Sequence, residues 1–394
     1  MTIYLDNNAT TRVAQEILEE ALPYFHKMWG NPSSPNNQGL IAHKATSKAR
    51  QQVANLINCD PEQIIFTSGA TESNNIALIG HALSMGRKSG NIIIPKFEHP
   101  SVLETSKRLS SLGFKVQYLN ITPDGVIDLN ELKSLISQHQ TNFISVMHAN
   151  NETGVIQPLS EIREILNGND IFFHTDAAQT VGKLSIDVQK LGLDSLSLSG
   201  HKIHSFKGVG ALFIKNPNKI LPIIYGGSQE YGIRPGTLNV PGIVALGKAC
   251  EIASQGFFDY SKTKQLRDYL EKEILRRLKN LAVSGVNSER LPTTSNICFF
   301  YTEGDAIVAN LNKNKIEVST GSACSSQNFN HSHVLKAMGL PPEVTIGSVR
   351  ISLAYDTSEK EIKRTIEQIE NSVNLCREIS PIYLDLIKKK KVNT

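Results

Sequence analysis

Six short apolar runs set the frame of the chain: "QIIFTSG" from Gln63, "NIIIP" from Asn91, "NFISVMH" from Asn142, "DIFFHTD" from Asp170, "LDSLSLS" from Leu193 and "GALFIK" from Gly210. Each is too short for a helix and is bounded by turn residues, so each reads as a buried strand. Amphipathic segments such as Pro158 to Leu166 lie between them. Strands alternating with helices predict an α/β domain built on a mainly parallel sheet. From about Gln255 the pattern changes. "SKTKQLRDYLEKEILRRLKN" places Leu266, Leu270, Ile274 and Leu278 four residues apart on one helical face. The chain then passes through a smaller α+β portion and ends in the helix-like "SEKEIKRTIEQIENSVNLCREI". Its 394 residues are more than one core usually serves, so two domains are expected. The larger spans 15–255, and the smaller combines 1–14 with 256–394.

Charge changes this picture little. The 41 basic and 37 acidic residues leave a net +4, and the one dense basic run, Lys388 to Lys391, is in the tail. Neither nucleic-acid nor membrane binding is expected from that balance. The start, "MTIYLDNNATTR", lacks the basic and apolar regions of a secretion signal, and no run of eighteen apolar residues occurs, so a soluble, cytoplasmic protein is expected. Five cysteines, Cys59, Cys250, Cys298, Cys324 and Cys376, are odd in number and widely spaced, which suggests thiols in a reducing compartment.

Candidate chemistry sits directly after the strands, where α/β sheets bind ligands. "IIF" leads into "TSGATESNN", whose Gly69, Ala70 and Thr71 would open a helix, and free amides there favour a phosphate. "ISVMH" leads to Asn150 and Asn151, "IFFH" to Asp176 and Gln179, and "SLSLS" to His201 and Lys202. One polar residue at a strand end is commonly a cap. A phosphate cradle, a carboxylate, an amide and a lysine together match what pyridoxal 5'-phosphate requires: an amine for its aldehyde, an acid for its ring nitrogen, and donors for its phosphate.

The motifs that carry this set run nearly end to end: "YLDNNATT", "GNPSS" from Gly30, "FTSGATESNN", "EHPSV" from Glu98, "NNETG", "HTDAAQ", "SGHK", "GTLNV" from Gly236 and "STGSACSS" around Cys324. In these the chain resembles the cysteine desulfurases of iron–sulfur assembly and nitrogen fixation. They belong to the class-V aminotransferases, pyridoxal-phosphate enzymes with the fold-type I, aspartate-aminotransferase-like architecture. The resemblance implies that Lys202 carries the cofactor as an imine, Asp176 pairs with the ring nitrogen, and Gln179 reaches the ring hydroxyl. It implies that Ala70, Thr71, Ser199 and His201 hold the phosphate, with Thr237 serving the other subunit of a homodimer. His99 would stack on the ring and act as an acid–base group, Asn151 would lie at ring and substrate, and Arg350 would clamp the substrate carboxylate through a two-pronged charged hydrogen bond.

Cys324 separates this branch from ordinary aminotransferases. It lies among Gly, Ser and Asn in a loop-like stretch between the strand-like "EVST" and a helix starting near Ser332, whereas Cys250 and Cys298 sit in apolar surroundings as inert thiols. The implied reaction takes sulfur from L-cysteine, releases L-alanine, leaves a persulfide on Cys324, and passes the sulfur to an acceptor such as an iron–sulfur scaffold. A metal site is not expected, since Cys324, His331 and His333 lack a fourth ligand. A selenocysteine lyase, an aminotransferase, a desulfurase dedicated to tRNA or DNA sulfur modification, and a non-enzymatic docking protein are the alternative readings. Departures from the family pattern are His204-Ser205-Phe206 in place of an aromatic-Gly-Pro turn, Asn36 in place of a histidine, Ser228 for Gly and Tyr231 for Arg, with Arg234 retained.

Overall fold

The computed structural model describes residues 2–86, 91–321, 332–381 and 383–384, so Cys324, His331 and the basic run Lys388 to Lys391 lie outside the described residues. Each of the six apolar runs forms a strand: β2 (Ile64–Thr67), β3 (Asn91–Pro95), β5 (Thr141–Ser145), β6 (Phe172–Asp176), β7 (Ser195–Ser199) and β8 (Gly210–Ile214). With β4 (Lys115–Leu119) they make a seven-stranded sheet in the order β2-β8-β7-β6-β5-β3-β4. The body from β7 to β4 is parallel. Strand β8 runs antiparallel to both neighbours, so the sheet is mixed. Sequence patterning missed β4. At the sheet edge, its "KVQYL" has two exposed and two half-buried positions before the buried Leu119, so it lacks the continuous apolar run that two covered faces impose on the inner strands.

Helices cover both faces. Asn37–Ile57 starts at the cap Asn36, whose side chain accepts from the Gly39 amide at 2.9 Å, and it packs along Val240–Ser254. Thus one departure, Asn36, is a helix cap. Helix Ser261–Arg277 buries Leu266, Leu270 and Ile274 on one face, while Leu278 lies just past the helix end in extended conformation and is still buried. Helix Glu359–Glu378 opens with a reciprocal capping box between Ser358 and Glu361. These two helices cover an antiparallel sheet of β9 (Leu281–Val283), β10 (Thr294–Phe299) and β12 (Ser348–Ser352), forming a second apolar core that also takes in Ile3 and Leu5. The chain start joins it because β1 (Ile3–Tyr4) pairs in parallel with β11 (Ile316–Glu317). Among the described residues no helix is long and apolar enough to cross a membrane.

Several histidines are built into this frame uncharged. His174 lies between strands with Nδ1 2.7 Å from Ser145 Oγ and Nε2 3.1 Å from Ser197 Oγ, and burial pushes it down to about 4. Burial does the same to His148 and His204, each to about 4. An unfolded chain binds protons at these sites from about pH 6.5, and the folded chain does not until near 4. Stability from these groups is therefore fully present above pH 6.5 and is lost as pH falls toward 4, by up to about 3 kcal/mol for each fully buried ring. Urea unfolding should give a clearly lower midpoint at pH 5 than at pH 7.5, with a shallower pH slope in His174→Gln; equal midpoints at the two pH values would refute this.

Candidate active site at the carboxyl ends of the strands

The turns that leave β2, β6 and β7 converge on a cavity of about 520 Å³. After β2 the backbone turns at Gly69, whose φ of +152° favours glycine, and helix Ala70–Met85 begins. Gly69 has no side chain to cap the first turn, so the amide ends at Ala70 and Thr71 border the cavity with the positive end of a sixteen-residue helix. Gly210 makes room for this turn, since a Cβ there would lie 2.6 Å from the Gly69 Cα. Glu72 in the same helical turn accepts from the Ser68 amide and from Arg234 Nε at 2.9 Å. Burial works to raise its carboxyl, but these hydrogen bonds prevail and hold it below its ordinary value.

Asp176 ends β6 almost fully buried. Its Oδ2 accepts from Asn74 Nδ2 at 2.7 Å and its Oδ1 from the Ala178 amide at 2.9 Å. Asn74 also donates to Ser101 Oγ at 2.8 Å, which ties the acid to the helix that follows His99. Past β7, the tight turn Gly200–Lys202 presents Ser199, His201 and Lys202 to the cavity. Lys202 Nζ donates to the carbonyls of Asn8 and Ala9 at 2.5 and 2.8 Å. Gln179 Nε2 donates to the same Asn8 carbonyl at 2.9 Å. The N-terminal "DNNATT" stretch is thus a wall of the site.

His99 caps helix Pro100–Ser111 by accepting from the Ser101 amide at Nδ1, 3.1 Å away. Because Nδ1 accepts, the ring hydrogen is assigned to Nε2. Burial, with Lys202 and His333 adding to it and Asp176 opposing it, lowers this imidazole below 6.5, so it is neutral at physiological pH. His201, its Nδ1 3.2 Å from Thr10 Oγ1, is pushed down to about 4 by burial and by Lys202, Lys207 and Lys183. Arg350 is buried on β12, with Nη2 2.7 Å from Asp6 Oδ1 and Nη1 3.1 Å from the Asn151 carbonyl. Its Nε finds no acceptor among the described residues. Arg350 borders the cavity as a buried guanidinium, and its positive charge there suits a carboxylate.

The structure therefore brings together Ala70, Thr71, His99, Asn151, Asp176, Gln179, Ser199, His201, Lys202 and Arg350 around one cavity. Thr237 does not line it and stands exposed. Cys324 lies outside the described residues, but its flanks are placed. Gly321 lines the cavity, a Cβ on it would lie 3.1 Å from Glu152 Oε2, and Ser332 Oγ donates to the same oxygen at 2.5 Å. The four described cysteines are free, and burial raises Cys59 and Cys250 to about 12, Cys298 to about 11, and Cys376 above its ordinary value. None of them is a ready thiolate at neutral pH.

The altered segment after Lys202 has a structural account. His204 takes a left-handed φ of 61°, packs on Phe258 and Tyr355 with ring centres 4.8 Å from each, and its Nδ1 is 3.1 Å from the Arg12 carbonyl. Together with the bond from its amide to Thr11 Oγ1 (2.8 Å), this fastens the N-terminal wall beside Lys202. Tyr231 is also left-handed, at φ 59°, next to Glu230 at 47°, and the buried Arg50–Glu230 ion pair (2.5 Å) anchors that turn. Sequence reading missed Asn8, Asn74 and the Glu72–Arg234 pair. The first two lie inside quoted motifs, "YLDNNATT" and "FTSGATESNN", but they work through contacts with residues far along the chain.

An open helix N-terminus, a buried carboxylate and a lysine amine within one strand-end cavity define a cofactor site for a phosphorylated aldehyde, and the donor set fits pyridoxal phosphate. The model for aminotransferase class-V matches residues 3–365. The chain is 42% identical over 380 residues to "Cysteine desulfurase IscS" of Dictyoglomus turgidum, covering 96% of each, and 44% identical over 383 residues to "Cysteine desulfurase 2" of Trichormus variabilis, covering 97% of this chain and 96% of the other. Its fold matches a solved "NifS-like protein" with a TM-score of 0.89 at 37% identity, over 95% of this chain and 100% of that one. The chain belongs to the class-V aminotransferase family, among its cysteine desulfurases.

Proposed function

We infer that the protein is a pyridoxal-phosphate-dependent cysteine desulfurase that turns L-cysteine into L-alanine and an enzyme-bound persulfide. The observation that carries this is the placement of the Lys202 amine, the Asp176 carboxylate and the Arg350 guanidinium around one cavity whose wall continues into Gly321, three residues before Cys324. When bound, pyridoxal phosphate supplies an electron sink that makes the substrate Cα proton acidic and weakens the bond from Cβ to sulfur. Ala70, Thr71, Ser199 and His201 would hold its phosphate, Asp176 would keep its ring nitrogen protonated, and Gln179 would donate toward its phenolic oxygen. Lys202 would hold the cofactor through its amine, and as a free amine it would move the substrate Cα proton.

Arg350 fixes the substrate carboxylate, and Asn151 borders ring and substrate. His99, neutral and with its hydrogen assigned to Nε2, would serve as the acid–base group at the cavity wall. The Cys324 thiolate attacks the substrate sulfur: a sulfur–sulfur bond forms, the carbon–sulfur bond breaks, and the electron pair stays with the carbon skeleton, which leaves protonated as alanine. Cys324 follows Gly321, which lines the cavity, by three residues in the sequence. Sulfur then passes to an acceptor protein such as an iron–sulfur scaffold.

The separate apolar core that joins Ile3 and Leu5 to residues between Leu266 and Cys376 supports reading 1–14 with 256–394 as a smaller domain that carries Cys324, beside a cofactor-binding domain of 15–255 into whose core Cys298, Val334, Leu335 and Met338 also pack. A homodimer is part of the proposal. Thr237 is exposed and away from its own chain's cavity, and Phe25, Trp29, Tyr225 and Tyr231 present large aromatic surfaces to solvent, as an interface would before pairing. Sedimentation at micromolar concentration should give twice the chain mass, and a monomer would remove Thr237 from the site. Free thiols at the described cysteines support a reducing, cytoplasmic location.

Incubating the reconstituted enzyme with L-cysteine tests the reading: alanine should appear, and the peptide holding Cys324 should gain the mass of one sulfur atom. Alanine without that gain would favour a selenocysteine-lyase-like or other related activity, and neither product would contradict the proposal.

A further inference from the structure

Lys183 has no role in this chemistry, yet its position is specific. The chain turns back after Gln179: the Lys183 and Leu184 amides both donate to the Thr180 carbonyl at 2.9 Å, and Gly182 takes a φ of +76°. A Cβ on Gly182 would lie 2.8 Å from Ile203 Cγ2, so the turn is pressed against the residue that follows Lys202. The lysine folds back over Gln179, and Nζ donates to Gln179 Oε1 at 3.3 Å. Among the described residues it forms no ion pair with a carboxylate.

We propose that Lys183 is a positioning residue for the cofactor site, anchoring the Gln179 amide by its oxygen so that its nitrogen stays directed at the cavity. The amide is held at both ends. Oε1 receives the lysine donor, and Nε2 donates to the Asn8 carbonyl, which also accepts from Lys202. A carbonyl only accepts, so turning the amide over would set oxygen against oxygen on one side and N–H against a donor on the other. Once Nε2 is drawn to the phenolic oxygen of bound pyridoxal phosphate, Lys183 is the remaining anchor. The surroundings oppose a cation there: desolvation of this partly buried side chain first, then Lys202 and Arg350, push the amine down to about 7, and its neighbours His201 and His204 are neutral. On its outer side Asp259, Tyr260, Lys264, Arg267 and Asp268 border a second cavity. A lysine kept beside two other cations and next to an amide is placed for that amide.

This inference rests on the cofactor assignment, and its test reads the bound cofactor rather than turnover. A hydrogen bond donated to the phenolic oxygen favours its anion and so lowers the pH at which the bound cofactor changes colour. In a pH titration of the visible absorption of the holoenzyme, Lys183→Met should raise the midpoint by roughly one pH unit, the size of a weakened hydrogen bond to a charged oxygen. Lys183→Arg, which keeps a donor, should titrate near the wild type. Gln179→Leu should shift the midpoint at least as far as Lys183→Met, and adding Lys183→Met to it should change little further.

An unshifted Lys183→Met variant overturns the proposal. A shift that persists in full without Gln179 overturns it too, because it makes the effect one of charge alone. Urea unfolding is measured alongside, and a Lys183→Met variant that loses cofactor uptake together with stability assigns Lys183 to the fold and also overturns it. A wild-type protein that takes up no coloured cofactor contradicts the cofactor reading itself.

Discussion

Replacing Lys202 with alanine should abolish alanine production from cysteine, a loss on the order of a thousandfold or more, since one side chain supplies both the covalent hold on the cofactor and the proton transfer. The fold should survive. The amine donates to two backbone carbonyls of the N-terminal wall, and Thr11 and His204 fasten that wall independently. Circular dichroism and urea unfolding should therefore show a folded protein, and pyridoxal phosphate should still bind through Asp176 and the helix N-terminus at Ala70, but reversibly and without the colour of an imine. A Lys202→Ala enzyme that turns over at even a tenth of the normal rate would mean that another amine performs the step. Lys207 and Lys183 are the neighbours to suspect, since Lys207 lines the cavity and Lys183 lies behind Gln179.

Cys324→Ser should give the opposite dissociation. The cofactor should load and show its colour, cysteine should bind and alter the spectrum, and sulfur transfer should fall below detection, because a serine hydroxyl is not ionised at neutral pH and makes a poor acceptor for sulfur. The four described cysteines cannot substitute. Burial raises each thiol, and Cys250 and Cys298 are closed off from solvent. Serine at any of these four should leave turnover near that of the parent, and a variant at one of them that abolished the persulfide would move the sulfur-accepting role away from Cys324.

The second expectation rests on a cysteine that stands out by its Gly, Ser and Asn neighbours, and the first on a lysine that could be found for a different physical reason. Strands buried on both faces appear as continuous apolar runs, and in an α/β sheet the residue after such a run faces the ligand, so Asp176, His201 and Lys202 could be located by counting past "IFFHT" and "SLSLSG". The edge strand β4 could not, because only Leu119 of its five residues is fully buried. Asn74 was legible only as part of a motif, since its work is a bond to Asp176, 102 positions away. Asn8 acts on Lys202 through its backbone carbonyl, and no side-chain pattern announces that.

Arg350 was expected to be a clamp, and the structure adds that it is already partnered to Asp6 and to the Asn151 carbonyl. A substrate carboxylate would thus meet a guanidinium already held in orientation, which lessens the ordering cost of binding. The segment His204-Ser205-Phe206 read as a loss of the family turn. Its gain, the bonds of His204 to Thr11 and Arg12, depends on a left-handed residue meeting a distant wall and was not visible in one dimension.

Borohydride reduction of the reconstituted protein followed by peptide mapping tests the assignment of Lys202 at its root. A single reduced pyridoxyl label should appear on the peptide that contains Lys202. A label on Lys183 or Lys207 instead, or no label on a protein that is saturated with cofactor, would contradict it.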